Sequence, residues 1–114
     1  MRVTSPQAIK GAAFERSVFG YLVEQLGQAT VKRPRVTPAD VGDIHAGPAC
    51  IECKNYRDTT RAVRDAVTEA ATAAENASLP YPVGVVKSKG VADTARQLVV
   101  MELSTFTRLL RETL

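Results

Sequence analysis

Val41-Gly42-Asp43-Ile44-His45-Ala46-Gly47-Pro48-Ala49-Cys50-Ile51-Glu52-Cys53-Lys54 is the stretch on which the reading of this chain turns. Residues 41–44 and Ala49–Lys54 read as two short strands, and His45-Ala46-Gly47-Pro48 between them is turn material, which predicts a hairpin. Side chains alternate faces along a strand. Glu52 and Lys54 therefore share one face, and Ile51 and Cys53 the other. Registers that set Asp43 opposite Cys50 or opposite Glu52 bring Asp43 onto the Glu52 face as well. Two carboxylates and one ammonium then meet at the edge of a small sheet. Close carboxylates repel, and each favours a cation between them. Hard oxygen donors suit Mg²⁺ or Mn²⁺, which bind one or two carboxylates together with substrate phosphate oxygens. A lysine beside them orients or helps to deprotonate a metal-bound water, or stabilises developing charge. Those parts suffice for phosphodiester hydrolysis.

The flanking segments supply a frame. Ser5-Pro6 is a helix start, since serine caps helices and proline suits the first helical position. Ala8, Ile9, Ala12, Phe19, Leu22, Val23 and Leu26 recur with helical period, and Gly27 is a stop, which predicts a helix over Pro6–Leu26. Residues 28–40 hold Lys32, Arg33, Pro34, Arg35 and Pro38 and read as a basic loop, with Val31 opening a short strand. Downstream, Asp58 caps a second helix striped by Ala62, Val63, Ala66, Val67, Ala70, Ala71, Ala74 and Ala77. So many alanines bring a helix close to whatever it covers. Leu79-Pro80-Tyr81-Pro82 ends it. Residues 83–87 are a valine-rich run suited to a strand buried on both faces. Residues 90–94 form a loop and 97–103 another strand. Ser104 then caps a final helix with Phe106, Leu109 and Leu110. The expected fold class is α/β, a three-layer core with a small mixed central sheet flanked by helices, in the order α-β-β-β-α-β-β-α.

Composition agrees with one such unit. The 114 residues fit a single domain over 1–114. At 45% hydrophobic and 24% charged residues, the chain reads as an ordinary soluble globular domain, not a disordered or fibrous one. No apolar run approaches the roughly 20 residues of a membrane helix, and residues 1–6 lack the apolar core of a signal peptide. Two cysteines without a leader place the chain in a reducing compartment, the cytoplasm. The net charge of +3 permits a nucleic-acid partner.

A third acid belongs with the pair. At about 100° per residue, Glu15 falls on the face of Ala8, Ala12, Phe19, Leu22 and Leu26. A glutamate in an apolar stripe needs a partner. Either it reaches water at the edge of the stripe, or it aims across the sheet at the same metal site.

Asp43 followed by Glu52-x-Lys54, after an acid-bearing helix and before an alanine-rich one, resembles the PD-(D/E)XK nuclease superfamily. The small core is most similar to Holliday-junction resolvases and related phage or prokaryotic endonucleases. The resemblance runs from Gly11-Ala12-Ala13-Phe14-Glu15-Arg16 through Val83-Gly84-Val85-Val86-Lys87. It implies a restriction-endonuclease-like fold and a metal-dependent DNA endonuclease acting on junctions or branched DNA. It implies Asp43 and Glu52 as metal ligands with the backbone carbonyl of Cys53, and Lys54 serving the attacking water. Glu15 would match the acidic residue that such resolvases carry on their first helix. Mg²⁺ or Mn²⁺ is the implied cofactor, with no small-molecule cofactor. The product would be a 5′-phosphate, and the setting a prokaryotic cell or phage-infected host. Gly42 stands where the family pattern has proline. Resolving a junction takes two matched cuts and a chain this small carries one site, which predicts a homodimer.

Other residues fit around this reading. Lys32, Arg33 and Arg35 precede the hairpin. Arg57, Arg61 and Arg64 follow it at spacing that lines one helix face. Lys87 and Lys89 close the valine strand. Singly each is a solvated charge; together they are placed to track DNA phosphates. A catalytically inactive nucleic-acid-binding module of the same fold would need only these. Cys50 and Cys53 form a CxxC, but structural zinc needs four ligands and only His45 lies near in sequence. Thiols three apart on a strand face opposite sides, and a redox pair sits at a helix N-terminus. Buried, inert cysteines are the expectation, with His45 a turn residue and Tyr56 a packing ring. The final helix and part of the alanine stripe are candidate subunit faces.

Overall fold

Each long helix begins where a short polar side chain replaces a missing helical bond. In the computed structural model, which describes residues 5–114, Ser5 Oγ accepts from the Ala8 amide and Pro6 follows, opening α1 (Pro6–Leu26). Gly27, at a φ of 90°, closes it. Asp58 accepts from the Arg61 amide and opens α2 (Thr59–Ala77). The strands are β1 (Val31–Lys32), β2 (Ile44–Ala46), β3 (Ala49–Lys54), β4 (Tyr81–Val86) and β5 (Leu98–Val100), and α3 (Leu103–Thr113) ends the chain. They form one sheet in the order β1-β2-β3-β4-β5. β3 and β4 run parallel, with Ile51 beside Val83 and Lys54 beside Val86, and the other neighbours are antiparallel. Parallel neighbours need a long crossover, and α2 is that crossover. The α/β class, the small mixed sheet and the three helices are as the sequence predicts.

Strand alternation sends the two long helices to opposite faces. Ile51, Val83 and Val85 join Ile44, Ala46 and Val31 under Phe14 and Val18 of α1. Cys50 meets Ala73 and Ala74 of α2, and Val86 meets Ala62 and Ala66. The alanine stripe lets α2 lie so close that Gly84 has no room for a side chain. A Cβ there would stand 2.7 Å from Ala66 Cβ and 2.8 Å from Val100 Cγ2. Gly84→Ala should therefore destabilise by about 1–3 kcal/mol, the usual cost of overpacking. Urea denaturation checks this, and Ala66→Gly in the same chain should recover part of the loss. An unchanged midpoint in Gly84→Ala would contradict the packing.

Several local expectations are corrected. The buried line of α1 is Phe14 and Val18, while Ala8, Ile9, Ala12 and Leu26 are exposed. The larger side chains fill the core, and the N-terminal turns of α1 stand off the sheet. In α2, Ala73 is buried and Ala71 exposed. The strand expected at 41–44 begins only at Ile44, because Gly42 turns through a φ of 92°. β4 begins at Tyr81 and runs through Pro82. The Tyr81 amide donates toward β3, to the Pro48 carbonyl at 3.2 Å. The nitrogen of Pro82 therefore faces the β5 side, where pairing starts only at Gly84, so no ladder bond is lost. β5 is shorter than expected, and α3 starts at Leu103 behind Glu102, not at a Ser104 cap. Of the residues read for a leader, Met1 to Thr4 lie outside the described residues. Among those described, no helix is long and apolar enough to cross a membrane.

Candidate active site at the end of β3

β2 starts one residue after Asp43, and its register with β3 continues backward to set Asp43 against Glu52. The Asp43 amide donates to the Ile51 carbonyl at 2.9 Å, and Asp43 Oδ2 accepts from the Cys53 amide at 2.8 Å. The aspartate thus takes the place of the next strand residue, and its carboxylate is fixed by the backbone it caps. Since N–H and C=O of one strand residue point the same way, the Cys53 carbonyl faces this edge too.

Glu52 points to the other side of the strand from Cys53, toward α2. It is 4% exposed, and its Oε1 is enclosed with no hydrogen-bond partner. Burial, then the charges of Asp43 and Asp40, push its carboxyl up to about 8. Asp43 is also raised, by burial first, against the lowering effect of the Cys53 amide. Lys54 lies 4.0 Å from Glu52 Oε2 and donates to Glu69 Oε1 at 2.6 Å. Burial alone would loosen the lysine proton. The hydrogen bond and charge of Glu69 outweigh that and hold the proton above the usual lysine range.

A cleft of about 980 Å³ opens beside this edge. Asp43, Cys53, Lys54 and Glu15 line it, together with Tyr56, Arg57 and Arg61. Small residues of α1, the exposed Ala8 and Ala12 and the half-buried Gly11, also line it. Glu52 lies beneath the floor, reached through its neighbours Asp43 and Lys54. The Glu15 carboxyl is raised by burial and by the charge of Asp43, and both acids line the cleft. Arg33 lies 3.9 Å from Glu15 and 4.8 Å over the Phe19 ring, which ties one loop arginine to the site.

The other basic residues divide. Arg57 and Arg61 line the cleft, although Arg57 precedes the Asp58 cap and so is not on the helix as expected. Lys89 donates to the Tyr56 carbonyl at 2.6 Å. It is pulled below the usual lysine range by partial desolvation and by the charges of Lys10, Lys87 and Arg57. Of these four, Lys10 and Arg57 line the cleft, and Lys87 and Lys89 do not. Lys87 itself is turned inward, donating to the carbonyls of Ser88 and Val91. Lys32, Arg35 and Arg64 are exposed and do not line the cleft. Tyr56 does line it, with Lys54 and Arg61 at 5.7 and 5.6 Å from its ring.

The cysteines are free. Cys50 packs against α2 and Cys53 on the α1 side, so the thiols diverge as expected. Burial raises both, Cys50 to about 11. His45 hydrogen-bonds the Val41 carbonyl at 2.6 Å, away from the cleft lining.

Three residues escaped the sequence reading. Glu69 falls three residues after Ala66 and four before Ala73, inside the buried stripe of α2. It carries the signal that singled out Glu15 on α1. Asp40 sits in a loop, where its Oδ1 accepts from the Gly42 amide at 2.9 Å. One oxygen each of Asp40, Glu52 and Glu69 lie within 4.8 Å of one another. Lys10, which the sequence reading did not single out, lines the cleft from α1. No family model, curated protein or solved structure matches this chain.

Proposed function

We propose that the chain is a Mg²⁺- or Mn²⁺-dependent DNA endonuclease of the PD-(D/E)XK kind, acting on junctions or branched DNA as a homodimer. The observation that carries this is the convergence of Asp43, Glu52 and Lys54 on one strand end, with a buried carboxylate oxygen that has no partner. An orphaned, enclosed oxygen costs free energy unless something charged meets it. The donors are all oxygen, which fits a hard divalent cation. Asp43, Glu52 and the Cys53 carbonyl would hold it. A cation there supplies charge neutralisation at the scissile phosphate and activation of water.

The side chains do the rest. Lys54, whose proton Glu69 holds, would orient the attacking water and steady charge at the phosphate. Arg57, Arg61 and Lys10, which line the cleft, would bind flanking phosphates and fix the strand along it. The succession of a helix, three antiparallel strands, a crossover helix and a parallel strand supports a restriction-endonuclease-like core. Leu98, Val99, Leu103, Phe106 and Leu110 are exposed on β5 and α3, and this apolar area favours pairing of two chains.

Incubating the protein with four-way junction, supercoiled and linear DNA under Mg²⁺, Mn²⁺ or EDTA tests the reading. Cleavage leaving a 5′-phosphate is expected with metal only, on the junction above the duplexes. Asp43→Ala should lower it by roughly 100- to 1000-fold, the scale of losing one transition-state charge stabiliser. Activity unchanged in Asp43→Ala would sink the assignment, and junction binding without cleavage under any metal would show an inactive binding module.

A further inference from the structure

The chain between β1 and Asp43 touches the site at both ends. Arg33, near its start, lies 3.9 Å from Glu15 and 4.8 Å over the Phe19 ring, on the α1 side. Asp40, at its finish, shares with Glu52 and Glu69 a set of oxygens within 4.8 Å of one another, and Asn76 Nδ2 of α2 donates to its carbonyl at 2.7 Å. Residues 33–40 between these anchors form neither helix nor strand. Pro34 and Pro38 fix two φ angles at about −65° and hold Arg33 and Thr37 before them to extended backbone. Arg35, Val36 and Thr37 at the middle are exposed, and Val36 stands wholly in solvent. Residues 27–39 hold three cations, Lys32, Arg33 and Arg35, and no acid.

We propose that residues 34–38 are an arm that enters the minor groove of DNA beside the cleft, with Arg35 in the groove and Val36 against its sugar walls. The inference rests on the DNA reading above and names how a duplex arm of the substrate is held. A minor groove is about 6 Å wide, which admits one extended chain and excludes a helix. A backbone stiffened by two prolines and anchored at both ends loses little entropy on entering. A narrow groove over A·T pairs concentrates negative potential. It draws arginine above lysine, because a guanidinium is the more weakly hydrated of the two cations. Arg35 does not line the cleft, so its charge is left for DNA outside it. Val36 decides between groove and phosphate. Phosphates offer nothing to a valine, whereas the sugars and base steps of a minor groove accept apolar side chains.

Binding measured in EDTA tests the arm with catalysis silent. The full chain is titrated against fluorescent duplexes and four-way junctions whose arms are A·T-rich or G·C-rich, with netropsin as the minor-groove competitor on the A·T-rich DNA. The parent should prefer A·T-rich DNA by at least about fivefold, and netropsin should displace it. Arg35→Ala should weaken A·T-rich binding by about tenfold and remove the preference. Arg35→Lys should hold the affinity for G·C-rich DNA and lose most of the preference. Val36→Asp should weaken binding by about tenfold, by setting a carboxylate in the groove. Arg35 and Val36 are exposed, so all three variants should melt within a few degrees of the parent, which a thermal scan checks. Equal losses on both DNAs in Arg35→Ala, or binding that netropsin leaves untouched, overturns the arm while the nuclease reading stands. Failure of the parent to bind either DNA overturns both. Binding that prefers A·T, without cleavage under any metal, keeps the arm and sinks the nuclease.

Discussion

Glu52→Gln should abolish metal-dependent cleavage and, in the same protein without metal, raise stability at alkaline pH. The activity loss follows from removing the buried carboxylate that would hold the cation with Asp43. It should be at least as large as that of Asp43→Ala, roughly 1000-fold. The stability gain follows from the electrostatics of the empty cluster. Glu52 is held near 8, well above an ordinary glutamate at 4.5, chiefly by burial and then by Asp43 and Asp40. A carboxyl with a raised folded-state value stabilises fully below its unfolded value, and that contribution is lost as pH rises through the folded one. Metal-free parent protein should therefore lose on the order of a few kcal/mol between about pH 4.5 and 8. Glu52→Gln, neutral throughout and able to donate to the neighbouring acids, should stay nearly flat. Mg²⁺ or Mn²⁺ should raise the melting temperature of the parent far more than that of the variant, with a proton released on binding near neutral pH. Thermal denaturation at pH 5, 7 and 9 with and without metal checks all of this. A parent that melts identically at the three pH values without metal would contradict the buried carboxyl.

Gly42→Pro, which places a proline where the pattern of the nucleases that the chain resembles has one, should destroy the site. Gly42 has a φ of 92°, and proline is confined near −65°. Its amide is also needed, since it donates to Asp40 Oδ1. Space is lacking too: a Cβ would lie 2.7 Å from Cys50 Sγ. Loss of about 3 kcal/mol or more is expected, with cleavage and cation binding failing together as Asp40 and Asp43 lose their anchor. Gly42→Ala keeps the amide and should cost less, about 1–2 kcal/mol for the left-handed backbone, plus the crowding of Cys50. Denaturant unfolding of the two variants gives the order, and a Gly42→Pro protein as stable as the parent would refute this backbone.

Much of this was legible before any coordinates. Ser5 and Asp58 announce α1 and α2 because capping is local chemistry. That Asp43 joins the Glu52 face follows from period-two alternation in either register, while the choice of Glu52 over Cys50 as its neighbour had to come from the register of β2 with β3. What escaped depends on distant partners. Whether Phe14 or Ala12 faces the core is settled by how α1 tilts on the sheet, not by its own period. Pro82 reads as a breaker until the missing neighbour on its β5 side is known. Asp40 is an ordinary loop acid until the turn at Gly42 folds it back. Glu69 differs: its place in an alanine stripe was readable, and the small neighbours masked it because they suggest packing.

The parallel pair at the centre of the sheet has a practical consequence. α1 and α2 lie on opposite faces and part at the carboxyl ends of β3 and β4, leaving a crevice where open α/β sheets hold their ligands. The candidate site residues Asp43, Glu52 and Lys54 lie at that end. The amino ends of the same strands are joined by the Tyr81 amide to the Pro48 carbonyl, roughly 16 Å away along six extended residues. Pro48 and Pro80 are exposed at that end. A fluorophore, surface tether or fusion partner attached there would report on the molecule while leaving the cleft free.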